Sequence, residues 1–286
     1  MSIVNRAPGA AFCALACLLL ASCGSVGDSK PLAALNIDTP IRLLLTFDDG
    51  PSTWQPDNPT SAVLDQLAAN PIQPGIKAVF LLQTRDPRAG ASSAGKALMR
   101  RQQSEGHLLA LHSGSPRGHA SHVRMSSEEL AKSLKDGRSD IRSITGKDAT
   151  LVRPPFWSFD ERTRKVYREN GFDMLLTDIN ARDGKIYGWT ISLRRRSHFL
   201  KGMKNVREAI EQGKIKSLDG VIPVVITFHD TNRFTASHMR EYLEILVETT
   251  QAVGLPLADP PFYNDRAQIE HAATVRARTG SYAGDP

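Results

Sequence analysis

The sequence predicts an α/β fold, with parallel strands covered by helices in a sheet that is either open or closed into a barrel. One observation is the alternation of short apolar runs with segments of helical spacing from Arg42 onward. A second is that acids, histidines and an arginine stand at the ends of successive runs, where parallel α/β folds build their sites. Size and composition agree. The chain has 286 residues, 41% apolar and 23% charged, with a net charge of +6, as expected of an ordinary folded protein of one or two domains.

The chain opens on "MSIVNRAPGAAFCALACLLLASCGS", with one basic residue, Arg6, followed by an apolar stretch from Ala10 to Leu20 and then small residues. That pattern reads as a secretion signal, too short for a comfortable transmembrane helix. Leu20-Ala21-Ser22-Cys23 resembles the lipobox of bacterial lipoproteins. The resemblance implies cleavage after residue 22 and acylation of Cys23. The three cysteines, Cys13, Cys17 and Cys23, all lie at this end, so no disulfide is expected in the mature protein although an exporting compartment would permit one. Gly24 and Ser25 follow Cys23, without an Asp. By the same resemblance this implies the periplasmic face of the outer membrane. Residues 23–41 read as a tether.

The elements then follow in order. Arg42–Phe47 reads as a buried strand, Thr60–Ala69 as a helix through Val63, Leu64 and Leu67, and Lys77–Gln83 as a second strand. Ala94–Glu105 reads as a helix stopped by Gly106, and His107–Leu111 as a third strand. Ser126-Ser127-Glu128-Glu129 is a capping box that opens a helix running to Thr145, stopped by Gly146. Leu151–Arg153, Phe172–Leu176 and Val221–Phe228 read as strands, Asp160–Asn170 and Thr235–Val253 as helices. Residues 263–286 are polar and Ala/Arg-rich, and are expected to be a surface appendage.

The strand ends carry the chemistry. Asp48 and Asp49 close the first run, before Gly50-Pro51. Adjacent side chains on a strand point to opposite faces, so only the turn could bring the two acids together. Two carboxylates in one pocket repel unless they divide the work or a cation lies between them. His112-Ser113 follows the third run, with His119 and His122 behind; Arg153-Pro154-Pro155-Phe156-Trp157 follows the fourth, Thr177 to Asp183 the fifth, and His229-Asp230 the last.

Thr46–Pro51, "TFDDGP", resembles the first motif of the NodB-homology polysaccharide deacetylases, carbohydrate esterase family four, and the likeness extends over roughly Arg42 to Pro260. The resemblance implies a distorted (β/α) barrel, a catalytic domain over 42–262, and metal-dependent hydrolysis of acetyl groups, most of all N-acetyl groups, on a polysaccharide. It implies Asp48 as general base, and Asp49 with two histidines as ligands of a divalent metal, expected to be zinc. Arg153–Phe156 stands for the third motif: Arg153 orients the base, and the backbone N–H of Phe156 helps hold the oxyanion. Asp183 would pair with His229 of the fifth motif, Ile226–His229, and His229 would act as general acid.

Two departures stand out. The family's metal histidines are usually four residues apart, but position 116 is Pro; the second ligand is therefore His119 or His122. The capping box favours His119, the likeness of "HVRM" to the family's H-P-x-L favours His122, and the preference falls slightly on His122, with both able to touch the metal. Gly184 follows Asp183 in place of an aromatic residue, leaving Trp157 and Trp189 as candidates for the sugar-binding wall or as plain packing.

From Gly184 to Arg207 there is no acid but seven bases, Lys185, Arg194, Arg195, Arg196, Lys201, Lys204 and Arg207. A solvated face is the default reading, a surface for anionic glycan or lipid headgroups the alternative. Nucleic acid is not an expected partner of an exported, tethered protein, and a monomer is expected. Three functions fit: an active glycan deacetylase, a carbohydrate-binding pseudoenzyme and a structural envelope lipoprotein. The base and acid together favour the first.

Overall fold

Alternating side chains on the central strand explain how the sheet is filled from both sides. In the computed structural model, which describes residues 37–183 and 194–283, β1 (Ile41–Gly50) lies mid-sheet. Its Leu43, Leu45 and Phe47 face the helices, against Val63, Leu64 and Leu67, while Leu44 faces the opposite way. The remaining strands are β2 (Ala78–Gln83), β3 (Leu108–Ser113), β4 (Leu151–Val152), β5 (Asp173–Met174), β6 (Ile179–Asn180), β7 (Ile222–His229) and β8 (Leu257–Phe262). Their order is β5-β4-β3-β2-β1-β7-β6, with β8 also paired to β1, and the pairings are parallel. The sheet curls into a half-barrel flanked by helices, so the expected parallel α/β architecture is present.

The helices are α1 (Pro59–Ala68), α2 (Ser93–Ser104), α3 (Ser127–Thr145), α4 (Glu161–Glu169), α5 (Arg195–Glu211), α6 (Arg233–Ala252) and α7 (Arg266–Thr279). Local chemistry sets their ends. Asn58 caps α1 ahead of Pro59, and reciprocal capping boxes open α3 (Ser126 with Glu129) and α4 (Asp160 with Thr163). None of the described helices is long and apolar enough to cross a membrane.

Four elements were not foreseen. β6 has only two residues, and β8 contains Pro260 and Pro261, which mask a strand pattern. α5 occupies the basic stretch, where Arg195 pairs with Glu241 of α6 at 2.6 Å, Arg196 pairs with Glu248, and Arg207 pairs with Glu211 at 2.9 Å. These three bases are thus committed to ion pairs, and Lys185 lies outside the described residues.

α7 corrects the reading of 263–286 as a surface appendage. Ile269, Ala272, Ala273 and Ala277, with Tyr263, pack on the inner face of the half-barrel against Leu44, Val79, Leu81, Ala110 and Val225. The helix escapes notice because its buried face is mostly alanine, with little apolar contrast. Arg276 reaches in to pair with the buried Asp178 at 2.7 Å, and the Leu176 N–H donates to the Tyr282 hydroxyl at 3.0 Å, so this segment closes the seam between β5 and β6. The leader, Cys23, Gly184 and Trp189 lie outside the described residues.

Candidate active site

β1 delivers the two adjacent carboxylates to one place by a break in its geometry. Thr46 and Asp48 share the inner face with Leu44, two residues apart each time. Asp49 has φ 71°, which turns its side chain out of strand alternation. Gln83, at the end of β2, donates its side-chain amide to the Asp49 carbonyl at 3.0 Å and fixes that turn. Gly50 allows it: a Cβ there would lie 2.3 Å from Asp230 Oδ1. Asp230 is buried and accepts from the Thr60 hydroxyl at 2.8 Å. Burial raises its carboxyl to about 7, against the Thr60 hydrogen bond and helped by the charge of Asp49.

Arg153 holds Asp48. Its Nη1 donates to Asp48 Oδ1 at 2.7 Å and to the Thr46 hydroxyl at 2.8 Å. Nε and Nη2 donate to the carbonyls of Leu175 and Leu176, at 2.8 and 2.9 Å. The guanidinium is fully buried beneath Trp157, whose ring centroid lies 5.0 Å away. Trp157 therefore packs on the arginine as well as lining the cleft.

Asp49, His112 and His119 converge, with one ligand atom from each lying within 4.8 Å of the others. His112 and His119 each bring Nε2 to 3.2 Å from Asp49 Oδ1. His112 Nδ1 lies 2.9 Å from the Arg153 carbonyl. Its hydrogen bond to that carbonyl puts the ring proton on Nδ1 and leaves Nε2 as an electron-pair donor. His112 Nε2 is buried with no hydrogen-bond partner. An orphaned imidazole nitrogen, a second imidazole and a carboxylate suit a divalent cation such as zinc, with further positions open. Burial alone would raise the Asp49 carboxyl, but the adjacent His112, then the fields of His229 and His119, hold it well below the usual carboxylate range.

The preference for His122 is corrected by this geometry. His122 is fully buried and its Nδ1 contacts the Tyr167 hydroxyl of α4 at 2.7 Å, which places the ring outside the cluster. Burial, with the neighbouring His112 and His119, pushes it down to about 3, so it stays neutral. The seven-residue step from His112 to His119 is made by a loop over Asp86. Gly118 passes it with φ 63°, where a Cβ would meet Asp86 Oδ2 at 2.0 Å. His119→Ala is expected to lower metal affinity at least tenfold more than His122→Ala, read by metal titration. A larger loss in His122→Ala would reverse the assignment.

β7 sets the opposite wall. Its register places His229 beside Asp48. Asp183 Oδ1 lies 2.7 Å from His229 Nδ1, and Oδ2 accepts from the His229 backbone N–H at 2.8 Å and from the Thr235 hydroxyl at 2.5 Å. Nδ1–H thus points at Asp183, leaving Nε2 for the cleft. Burial would lower the imidazolium, but the charge and hydrogen bond of Asp183, then the charges of Asp49 and Asp48, raise it to about 9. Phe156 has φ 59°, its ring lies 4.1 Å from that of His119, and its N–H makes no hydrogen bond among the described residues.

These groups line a cavity of about 1200 Å³. The sequence alone did not assign Trp54, Asn180, Arg182, Thr231, Asn232 or Phe234 to its walls. Trp54 stands just beyond the "DDGP" turn, which was the available signal for it.

Residues 37–175 match the family model described as polysaccharide deacetylase. Over that segment the chain is similar to this family. Among curated members, a chitin deacetylase of Pestalotiopsis sp is 27% identical over 204 residues, 65% of this chain and 63% of that protein. A peptidoglycan-N-acetylglucosamine deacetylase of Listeria monocytogenes is 28% identical over 145 residues, 50% of this chain and 27% of that protein. The chain thus spans less than two thirds of the length of these relatives. Among solved structures, a family 4 acetyl xylan esterase from Clostridium thermocellum, in complex with a cobalt ion, shares the fold at TM-score 0.53 and 22% identity, over 80% of this chain and 90% of that one. The chitin deacetylase of Colletotrichum lindemuthianum does so at TM-score 0.55 and 19% identity, over 78% and 87%.

Proposed function

We propose that the protein is a metal-dependent hydrolase that removes acetyl groups, chiefly N-acetyl, from a cell-envelope or exported polysaccharide. The observation that carries this is the placement of a clamped carboxylate and a clamped imidazole beside the Asp49–His112–His119 cluster. A binding module needs neither clamp.

A divalent ion held by Asp49, His112 and His119, zinc in this reading, would lower the pKa of water and polarise the acetyl carbonyl. Asp48, oriented by Arg153, accepts the proton of the attacking water. The free N–H of Phe156 donates to the oxygen that gains negative charge. His229, held through Nδ1 by Asp183, donates its Nε2 proton to the leaving nitrogen. Acetate release from a panel of peptidoglycan, poly-N-acetylglucosamine and an O-acetylated glycan tests the activity. Release from N-acetylated members is expected; metal-loaded protein that releases acetate from none would contradict it.

The acid role has a pH signature. His229 must carry its proton, so kcat/KM is expected to fall as pH rises through its pKa, about 9 without metal and lower beside a bound cation. Asp183→Asn removes the largest influence that raises that pKa. The alkaline limb should therefore move to lower pH, and the variant should lose more activity at pH 8.5 than at pH 6.5 (assay values chosen around the histidine range). An unmoved limb would take His229 out of the acid role.

The Leu20–Cys23 stretch supports export and lipid anchoring at the periplasmic face of the outer membrane. Cys23→Ala is expected to abolish incorporation of labelled lipid; labelling that persists would contradict the anchor.

A further inference from the structure

The acids of the cleft are all engaged at its floor: Asp48 with Arg153 at 2.7 Å, Asp183 with His229 at 2.7 Å, and Asp49 between His112 and His119 at 3.2 Å. Among the described residues no other acid lines the cleft, but its walls carry two arginines that hydrolysis does not use, Arg182 and Arg233.

Arg182 is exposed and makes no ion pair among the described residues. Its backbone is fixed nonetheless. The N–H donates to Asn180 Oδ1 at 3.0 Å, the preceding Ala181 N–H donates to the Thr227 carbonyl at 2.8 Å, and the following Asp183 is clamped to His229. Its φ is 48°, a left-handed conformation that a side-chain-bearing residue rarely adopts without a surrounding structure that imposes it. The result is a guanidinium at the cleft wall beside Asn180 and one residue from the clamp that holds His229. Arg233, at the start of α6, lies over Trp54 at 5.3 Å, and its partner is the exposed Asp57 at 3.3 Å. Trp54 and Phe156, 56% and 58% exposed, offer flat apolar surface of the kind that sugar rings cover.

We propose that Arg182 recognises a carboxylate on the sugar next to the acetylated unit, so that the substrate is an anionic glycan, its carboxylate belonging either to a uronic acid or to a lactyl ether. The proposal rests on the deacetylase reading and deepens it. A planar guanidinium suits this task because it meets a carboxylate with two parallel N–H donors, and an unpaired one loses no existing bond in doing so. The floor cannot take the anion, since its arginine is buried and already spent on Asp48. Arg233 also lines the cleft, adds to its positive field and is half-committed to Asp57.

The test compares kcat/KM for an N-acetylated disaccharide of glucosamine and muramic acid with that for its carboxamide, and does the same for an N-acetylglucosamine–glucuronic acid disaccharide and its carboxamide. For the wild type, the carboxylate form of at least one pair should be preferred by about tenfold, the scale of one charge-assisted hydrogen bond. The pair that shows the preference identifies the carboxylate source. In Arg182→Gln the ratio should fall towards unity, Arg182→Lys should keep part of it, and added salt should shrink it. A wild-type ratio near unity for both pairs, or an Arg182→Gln ratio equal to that of the wild type, would overturn the proposal. Absence of acetate release from every substrate would defeat the deacetylase reading instead. Calorimetric titration of the four disaccharides into wild type and Arg182→Gln, with the same ratio as readout, would then still decide whether Arg182 reads the carboxylate.

Discussion

Replacing Asp48 with Asn is expected to lower kcat by on the order of 10²–10⁴-fold, the range a positioned general base supplies, while bound metal stays in place. The amide keeps the shape of the carboxylate but cannot accept the proton of water. It also keeps an oxygen for Arg153, whose Nη1 bonds to Asp48 Oδ1 at 2.7 Å, so the buried guanidinium retains a partner. Arg153 has three further anchors in the Thr46 hydroxyl and the carbonyls of Leu175 and Leu176, and should not shift. The loss should appear in kcat with little change in metal content, measured by acetate release and elemental analysis on one preparation. Near-normal turnover in Asp48→Asn would leave this carboxylate a structural role and remove the proposed base.

Replacing His112 with Ala is expected to remove bound metal and to lower activity by on the order of 10³-fold, since a hydrolytic metal supplies several kcal/mol of barrier reduction. His112 is the more buried of the two cluster histidines, and its orientation is set by the hydrogen bond from Nδ1 to the Arg153 carbonyl. That bond ties the metal cluster to the segment that orients the base, so the substitution strikes both. Asp49→Ala provides a second variant that leaves the Arg153 contact intact, and it should also lose metal. Full occupancy in both variants would exclude the cluster as the metal site.

What could be read from the sequence follows the distance over which each interaction acts. The long strands β1, β2, β3 and β7 announce themselves by apolar runs, and α3 by its capping box, because those signals are local. β8 does not, since its prolines conceal a strand that is held by pairing to β1. α7 does not, because an alanine face shows no amphipathic contrast until the inner surface it fills is known. At the site, "TFDDGP" gave both acids, but not the left-handed turn at Asp49 that brings them together. His119 and His122 could not be separated by spacing. The path over Asp86 at Gly118 and the contact between His122 and Tyr167 decide between them, and both come from elements far away in the chain. The walls are hardest to read, since Trp54, Arg182 and Arg233 meet around one cavity from three separate loops and helix starts.

The most direct test of the central claim is acetate release from an N-acetylated glycan by one preparation of the protein in three states: as purified with metal bound, stripped by a chelator, and reloaded with zinc. Release is expected in the first state, loss in the second and recovery in the third, with Asp49→Ala failing to recover. Release that persists after the metal has been removed would contradict it, as would stoichiometric metal at Asp49, His112 and His119 with no release in any state.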